Sequence, residues 1–263
     1  MHLAELIVRA AVGAAVAVVV SLAGRRSQTL SGSGAAVGAA MGTIAMAAGW
    51  SWGALLLSLF ISVSLLSRIR AVEKTQKVGG VVEKGGERDA AQIVANGAVF
   101  TTAALGSLIA PAPLWYAIAA GALSFSAADT WATEIGTLTR SDPYLITSGR
   151  RVPAGTSGGI SLLGSFAAFG GALFIGAGTM FAAWPVSLVA TLLGGIIGAF
   201  ADSVIGATLQ SRRWCGECRK PTERVIHDCG TRTTINGGIV WLNNDAVNTV
   251  CSAIGALVAL LIS

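Results

Sequence analysis

Carboxylates within or beside the long apolar runs of this sequence are the residues best suited to chemistry. They are Asp129, Glu134, Asp202 and Asp245. A buried anion needs a cation or a proton to be tolerated, which makes acids in apolar stretches candidates for function. Hard oxygen ligands suit Mg²⁺. We therefore predict that some of these four carboxylates bind Mg²⁺, and that Asp129, Asp202 and Asp245 are catalytic.

Amide side chains accompany the acids at a similar predicted depth. The amides are Asn96, Asn243, Asn244 and Asn248. Asn96 follows Asp89 by seven residues and Asn248 follows Asp245 by three, so each pair shares one face of a helix. A lone amide is usually packing between helices, but amides beside three carboxylates favour a binding site for substrate.

Glycine pairs occur where polar segments lead into three of the apolar runs. The segments contain Gly85 and Gly86; Thr156, Ser157, Gly158 and Gly159; and Gly237 and Gly238. Small residues at a helix N-terminus let a phosphate approach the unpaired N–H groups, although each pair could simply turn the chain into a helix. The neighbouring cations Lys84, Arg88, Arg150 and Arg151 favour phosphate binding. None of the segments is a Walker A motif.

Four soft metal ligands lie within fifteen residues of one polar segment. Cys215 and Cys218 are followed by His227 and Cys229. A loop without a core of its own could be folded by Zn²⁺, although the spacing differs from that of common zinc fingers. A disulfide fits less well on a reducing side of the membrane.

The composition requires lipid as the solvent for most of the chain. Hydrophobic residues make up 53% and charged residues 12% of the 263, and the 34 glycines recur inside apolar runs, as in closely packed membrane helices. We predict an all-α polytopic bundle that forms a single domain over residues 1–263. The predicted spans cover about 3–23, 32–49, 50–67, 90–110, 112–136, 158–182, 185–209 and 236–262.

The positions of charged residues predict the orientation in the membrane. With eight spans, every Lys and Arg except Arg9 falls on one side, mainly in the loops 68–89, 137–157 and 210–234. By the positive-inside rule this side is cytosolic, so both termini lie on the opposite side. Trp50, Trp52, Trp115, Tyr116 and Trp184 would form an aromatic belt at that opposite face. The segments around Asp129 and Asp202 resemble each other, which leaves internal duplication or coincidence open.

Five segments together resemble one known family. They are Lys84–Asn96, Ala128–Gly136, Gly155–Gly164, Ala201–Ser203 and Trp241–Asn248. They are similar to the integral-membrane family that includes plant phytyl-phosphate kinase of the vitamin E pathway, with a distant likeness to dolichol kinase and CDP-diacylglycerol synthase. The resemblance implies a kinase that extends a prenyl monophosphate to the diphosphate with CTP or ATP. Lys84, Arg88, Arg150 or Arg151 would then neutralise phosphate charge.

Two other functions remain open from the sequence. A cytidylyltransferase acting on a lipid phosphate could use the same residues. A transporter could be built from two similar halves that carry acids inside the spans. The expected partners are a prenyl monophosphate, a nucleoside triphosphate and membrane lipids, with a homodimer left open. Nucleic acid is not expected, because the cations flank membrane helices instead of clustering with stacking aromatics.

Overall fold

The protein folds as a bundle of apolar helices with small polar elements at one end. The computed structural model describes residues 3–78, 80–84, 86–139 and 141–263. Its helices are α1 (Leu3–Arg26), α2 (Gly32–Ala48), α3 (Trp50–Arg68), α4 (Ala71–Val78), α5 (Ala90–Ile109), α6 (Leu114–Gly136), α7 (Leu162–Phe181), α8 (Leu188–Thr208) and α9 (Asn244–Ile262).

A helix occupies each predicted span, so the prediction of a polytopic all-α membrane protein is confirmed. Among the described residues, six helices are long and apolar enough to cross a membrane, namely α1, α3, α5, α7, α8 and α9. The apolar helix α2 is shorter, with 17 residues. Helix α6 is long enough at 23 residues, but small and polar residues dilute its hydropathy.

Helix α6 lies at the centre of the bundle. Every residue from 119 to 128 is buried, and α3, α5, α7, α8 and α9 all pack against this helix. Most of these buried residues are Ala, Gly or Ser, so neighbouring backbones approach closely on all sides. A helix surrounded by protein does not need the hydropathy of one that faces lipid.

Helices α7 and α9 begin later than predicted. The predicted starts at 158 and 236 assumed that each glycine pair opens a helix, whereas the observed helices start at Leu162 and Asn244. Gly158, Gly237 and Gly238 have positive φ angles of 78°, 133° and 75°, which a right-handed helix does not allow.

The polar segments carry small elements of their own. The loop 68–89 contains the short helix α4. Strands β1 (Tyr144–Leu145) and β2 (Gly159–Ile160) pair antiparallel. Strands β3 (Arg213–Cys215), β4 (Lys220–Thr222) and β5 (Thr234–Ile235) form an antiparallel sheet in the order β4-β3-β5.

Side-chain contacts show which helix termini share an end of the bundle. Ser67 near the end of α3 donates a hydrogen bond of 2.8 Å to Glu134 near the end of α6. Lys84, shortly before α5, forms an ion pair of 2.5 Å with Asp245 at the start of α9. We call this end the basic end, because most Lys and Arg residues lie there, and the opposite end the far end.

The aromatic residues of the far end form a plug instead of a lipid-facing belt. Trp52 is only 1% exposed, and its ring centroid lies 5.7 Å from Phe100, 5.1 Å from Tyr116 and 4.7 Å from Trp184. Trp50, in contrast, is 46% exposed. Burying the large rings together removes more apolar surface from lipid and water than an interfacial position would.

Candidate active site

Three glycines bring the central helices α6, α8 and α9 into backbone contact. They are Gly121 on α6, Gly194 on α8 and Gly255 on α9. A Cβ atom at Gly194 would lie 2.7 Å from the carbonyl oxygen of Gly255 and 3.2 Å from the Cα of Gly121. No side chain fits at this crossing, so the three helix axes approach as closely as their backbones permit.

The distance of the three predicted catalytic acids from the glycine crossing follows from their positions along the helices. Asp129 and Asp202 each lie eight residues beyond the crossing glycine of their helix, which is ~12 Å toward the basic end at about 1.5 Å per residue. Asp245 lies ten residues before Gly255 on α9, or ~15 Å in the same direction. The predicted layer of acids near the basic end is therefore present.

Asp129 and Asp202 share one part of this layer with Glu223 from the loop between α8 and α9. The Asp202 carboxylate lies close enough to both Asp129 and Glu223 for electrostatic repulsion. Ser157 donates a hydrogen bond to Glu223. The Oδ1 atom of Asp202 is fully buried, and no described residue forms a hydrogen bond with it. Among the described residues, these three acids form no ion pair, and we call them the acid pocket.

Burial raises the pKa of Glu223 to about 7, and the nearby Glu83 adds to this rise while the hydrogen bonds from Ser157 oppose it. Moving a carboxylate out of water disfavours its charged form. At neutral pH, Glu223 therefore changes readily between its neutral and its charged form.

Asp245 lies in a second part of the layer, where it has a cation. The Nζ atom of Lys84 is 2.5 Å from Asp245 and 3.0 Å from Asp89. These two acids raise the pKa of Lys84 although burial lowers it. Glu83 lies between the two parts of the layer, because it interacts electrostatically with Lys84 and Asp245 as well as with Glu223.

Glu134 has partners that remove it from the predicted metal set. Lys74 forms an ion pair with one of its oxygens. Its other oxygen accepts from Ser67, and Arg88 lies 3.6 Å away. Arg88 also donates a 3.0 Å hydrogen bond to Ser67. Because both carboxylate oxygens are occupied, we assign Glu134 to an anchor that holds α4 and Arg88 against the end of α6.

The glycine pairs do not form the helix N-termini that the phosphate hypothesis requires. Asp89, Ser161 and Asn243 cap helices α5, α7 and α9 with their own side chains. Gly85 lies outside the described residues, and a Cβ at Gly86 would meet open space. Gly159 belongs to β2.

Two glycines instead permit close approach of loops, Gly158 to α8 and Gly238 to the residues that directly follow α8. A Cβ at Gly158 would lie 2.6 Å from the carbonyl oxygen of Ser203, which directly follows Asp202. A Cβ at Gly238 would lie 2.9 Å from the carbonyl oxygen of Leu209. A Cβ at Gly237 would lie 3.2 Å from the Arg212 guanidinium. The segment that contains Ser157 is therefore held directly against the helix that carries Asp202.

The predicted amides and arginines divide between the layer and the surface. Asn96 on α5 accepts a 2.8 Å hydrogen bond from Ser126 at its backbone oxygen, and its side-chain Oδ1 is fully buried with no partner in the described part of the chain. Asn248 is buried on α9, where Asn244 is the first helical residue. Arg150 and Arg151 are exposed, and Arg151 lies over the Tyr144 ring. Thr156 donates to the Pro153 carbonyl.

An apolar cavity of about 330 Å³ lies between α1, α2, α3 and α5 and reaches the face of α6. Its far-end wall includes Trp50 and Ala54, and its basic-end wall includes Arg88, Asn96 and Thr130. Thr130 directly follows Asp129 on α6, so the polar end of the cavity lies at the level of the acid pocket, while none of the three acids lines the cavity itself. The volume is in the range of about 300–1,000 Å³ that is typical of small-molecule sites.

A family of integral membrane proteins known as DUF92 matches residues 15–256. The chain belongs to the DUF92 family. No solved structure gives a significant match to it.

Similar proteins of this family come from plants and archaea. The DUF92 chain is 28% identical to Protein PGR of Arabidopsis thaliana, with 86% of each chain covered. It is 29% identical to an uncharacterized membrane protein of Methanocaldococcus jannaschii, with 98% of this chain and 96% of the other covered. It is also 28% identical to Protein VTE6, chloroplastic, of Arabidopsis thaliana, with 88% of this chain and 65% of the other covered.

Sequence reasoning missed Glu223 and Glu83 in the DUF92 chain. Both lie in polar loops, where an acid is usually solvated and gives no signal of its own. Glu223 is brought to the layer by backbone pairing, because its N–H donates to the Val81 carbonyl at 2.8 Å. The position of Glu223 five residues after Cys218 and four before His227, within the predicted zinc segment, was the available clue.

Proposed function

We propose that this DUF92 protein is a prenyl-monophosphate kinase, which transfers the γ-phosphoryl group of CTP or ATP to a phytyl- or geranylgeranyl-type monophosphate. One observation carries the proposal: an apolar cavity along the bundle has its polar end, at Arg88, Asn96 and Thr130, at the level of the acids that form no ion pair among the described residues. The resemblance of five segments to the family with phytyl-phosphate kinase supports it, as does the similarity to Protein VTE6.

The cavity accounts for a substrate with a long apolar tail and a charged head. In this arrangement the prenyl tail lies along α2 and α3, and the phosphate lies at the basic end near Arg88 and Asn96. Burial lowers the pKa of the Arg88 guanidinium, and Glu134 opposes that effect. Arg88 is held in place by Ser67 and Glu134, so its charge is positioned before substrate arrives.

The acid pocket offers carboxylate oxygens, which are the type of ligand that Mg²⁺ prefers. Asp129, Asp202 and Glu223 form no ion pair among the described residues and would hold the ion, although their oxygens are not gathered into a closed ligand set in this structure. The Oδ1 atom of Asp202, which has no partner among the described residues, fits this assignment, since buried polar atoms without a partner are rare in folded proteins. When bound, Mg²⁺ would supply positive charge that offsets the negative charge developing on the phosphates during transfer.

The transfer itself needs little from the protein beyond positioning and charge. An oxygen of the lipid monophosphate attacks the γ-phosphorus, a new P–O bond forms, and the bond from that phosphorus to the β-phosphate oxygen breaks, so that the nucleoside diphosphate leaves. The attacking oxygen is already anionic, so no strong general base is required. Lys84, fixed between Asp89 and Asp245, supplies a positive charge beside the pocket.

The experiment uses purified protein in nanodiscs, Mg²⁺, phytyl, geranylgeranyl and farnesyl monophosphates, and CTP labelled either in the γ-phosphate or in cytidine, with ATP in parallel. Label from the γ-phosphate alone should enter the lipid. Incorporation of cytidine would instead establish a cytidylyltransferase, and the absence of turnover with every prenyl phosphate would also refute the proposal.

The variant Asp202→Asn should lower kcat by at least ~100-fold, because loss of a metal ligand removes several kcal/mol of charge stabilisation. Asp142→Asn is the matched control, since Asp142 is exposed on the loop before β1. The thermal unfolding temperature of both variants is measured alongside. Full activity of a folded Asp202→Asn variant would remove the acid pocket from the mechanism.

A further inference from the structure

Four soft ligands from the loop between α8 and α9 converge at a site outside the acid pocket. The ligand atoms of Cys215, Cys218, His227 and Cys229 all lie within 4.8 Å of one another. The Sγ atoms of Cys215 and Cys229 are 3.6 Å apart, and Nδ1 of His227 is 3.3 Å from Sγ of Cys229. A tetrahedral zinc site with Zn–S bonds of about 2.3 Å places its sulfur atoms about 3.8 Å apart.

Two tight turns present these ligands. Cys215 ends strand β3, and the N–H of Cys218 donates to the Cys215 sulfur at 3.5 Å. The second turn is closed by a 2.8 Å hydrogen bond from the Gly230 N–H to the His227 carbonyl. Each turn contributes two ligands, so an ion between them would join two separate parts of the loop.

The loop has little else to hold it together. Neither of the two clusters of buried apolar residues found in the described chain includes a residue between 210 and 236. Its strands have two or three residues each, which is too short for independent stability. Small segments without a core commonly depend on a bound metal for their fold.

The same loop positions two parts of the candidate active site. Besides the N–H of Glu223, which bonds to Val81, the Arg224 side chain donates to the Val82 carbonyl at 3.0 Å. These contacts brace the segment that leads to Lys84, and they place Glu223 against Ser157. All of them lie between the first and the second pair of soft ligands in sequence.

We propose that Cys215, Cys218, His227 and Cys229 bind one Zn²⁺ ion, and that this ion keeps the loop in the fold that places Glu223 and braces the segment before Lys84. The zinc is structural: three thiolates and an imidazole fill its tetrahedral positions, so no open position is left for substrate. This inference concerns a second metal and does not depend on the reaction proposed above.

The first test is metal content. Full-length protein purified in detergent without chelator should contain stoichiometric zinc by inductively coupled plasma mass spectrometry, and Cys215→Ser and Cys229→Ser should lose most of it. Cys251→Ser is the matched control, because Cys251 is buried in α9 and should leave the zinc content unchanged. Protein without zinc, a disulfide between Cys215 and Cys229 in non-reducing peptide mapping, or zinc retained in both loop variants would overturn the proposal.

The second test addresses what the ion does for the site. Removing zinc with a strong chelator should accelerate hydrogen–deuterium exchange in the peptide that contains Glu223, whose amide is bonded to Val81, by at least tenfold. Peptides from α7 should not change. If zinc leaves and the exchange of the Glu223 peptide stays the same, the bracing role is refuted. Neither test uses kinase activity, so its result is independent of the proposed reaction.

Discussion

Shortening the apolar cavity from its far end should change which lipid the protein accepts. Ala54 lines the cavity on α3, next to Trp50 at the far end. Ser67 on the same helix accepts a hydrogen bond from Arg88 at the basic end, and the two positions are 13 residues apart, which corresponds to ~20 Å along the helix. A larger side chain at Ala54 therefore meets only the end of a long tail.

The variant Ala54→Leu adds three carbon atoms to this wall. If the tail fills this part of the cavity, the added atoms overlap it, and overpacking of this kind costs about 1–3 kcal/mol. That loss corresponds to a roughly 5- to 150-fold higher KM for geranylgeranyl monophosphate, since about 1.4 kcal/mol is tenfold. The kcat should stay the same, because the tail contributes equally to the ground state and the transition state. Geranyl monophosphate, with half the chain, should be unaffected.

The assay compares initial rates with the two lipids in nanodiscs at saturating nucleotide. Ala40→Leu serves as the matched control, because Ala40 is exposed on α2 and does not line the cavity. A KM for geranylgeranyl monophosphate that does not change, or an equal rise for both lipids, would show that the tail does not lie in this cavity with its end near Ala54.

Three further predictions concern pH, packing and the Glu134 anchor. Without divalent metal, the unfolding temperature of wild type should fall relative to that of Glu223→Gln as pH rises from 5 to 8, because the raised pKa of about 7 means that the charged form of Glu223 is disfavoured in the folded state. A difference that does not change with pH would contradict this. Gly194→Ala should destabilise the bundle by about 1–3 kcal/mol, because the added methyl group clashes with Gly255. Gly38→Ala is the control and should leave the stability unchanged, because no described atom would lie closer than 3.5 Å to its methyl group. Thermal unfolding in detergent measures both effects. Glu134→Gln should lower the unfolding temperature and weaken lipid binding while leaving Mg²⁺ affinity unchanged in titration calorimetry; a lost Mg²⁺ affinity would return Glu134 to the metal set.

The positions of the helices could be predicted because each follows from the length of an apolar run. The starts of α7 and α9 could not, since a glycine pair before an apolar run fits either a helix start or a close approach between chains. The φ angles of Gly158 and Gly238 depend on α8 packing against them. That packing is a tertiary contact, which local sequence does not encode.

The residues of the candidate site that lie on membrane helices could be predicted from the sequence. Asp129 and Asp202 stood out because an acid in an apolar run is costly, and the structure brings them together. Glu134 stood out for the same reason, but its cation Lys74 comes from α4, sixty residues earlier. Glu223 was hidden because its position depends on pairing between two loops. The energetic cost of an acid in an apolar helix could therefore be recognised from the sequence. The residues that contact that acid could not, because they come from other parts of the fold.

The two ends of the bundle differ in a way that separates an enzyme from a transporter. A transport path must bring water or polar groups to both sides of the acids. Toward the basic end, the acids meet polar loops. Toward the far end, the backbones of α6, α8 and α9 are in contact at Gly121, Gly194 and Gly255. At the far end itself, the aromatic rings around Trp52 fill the space between α3, α5 and α6. Opening such a path would require separating three helices at their closest contact and exposing buried aromatic surface. Chemistry at one face of the membrane needs neither change, so the packing itself favours the enzyme.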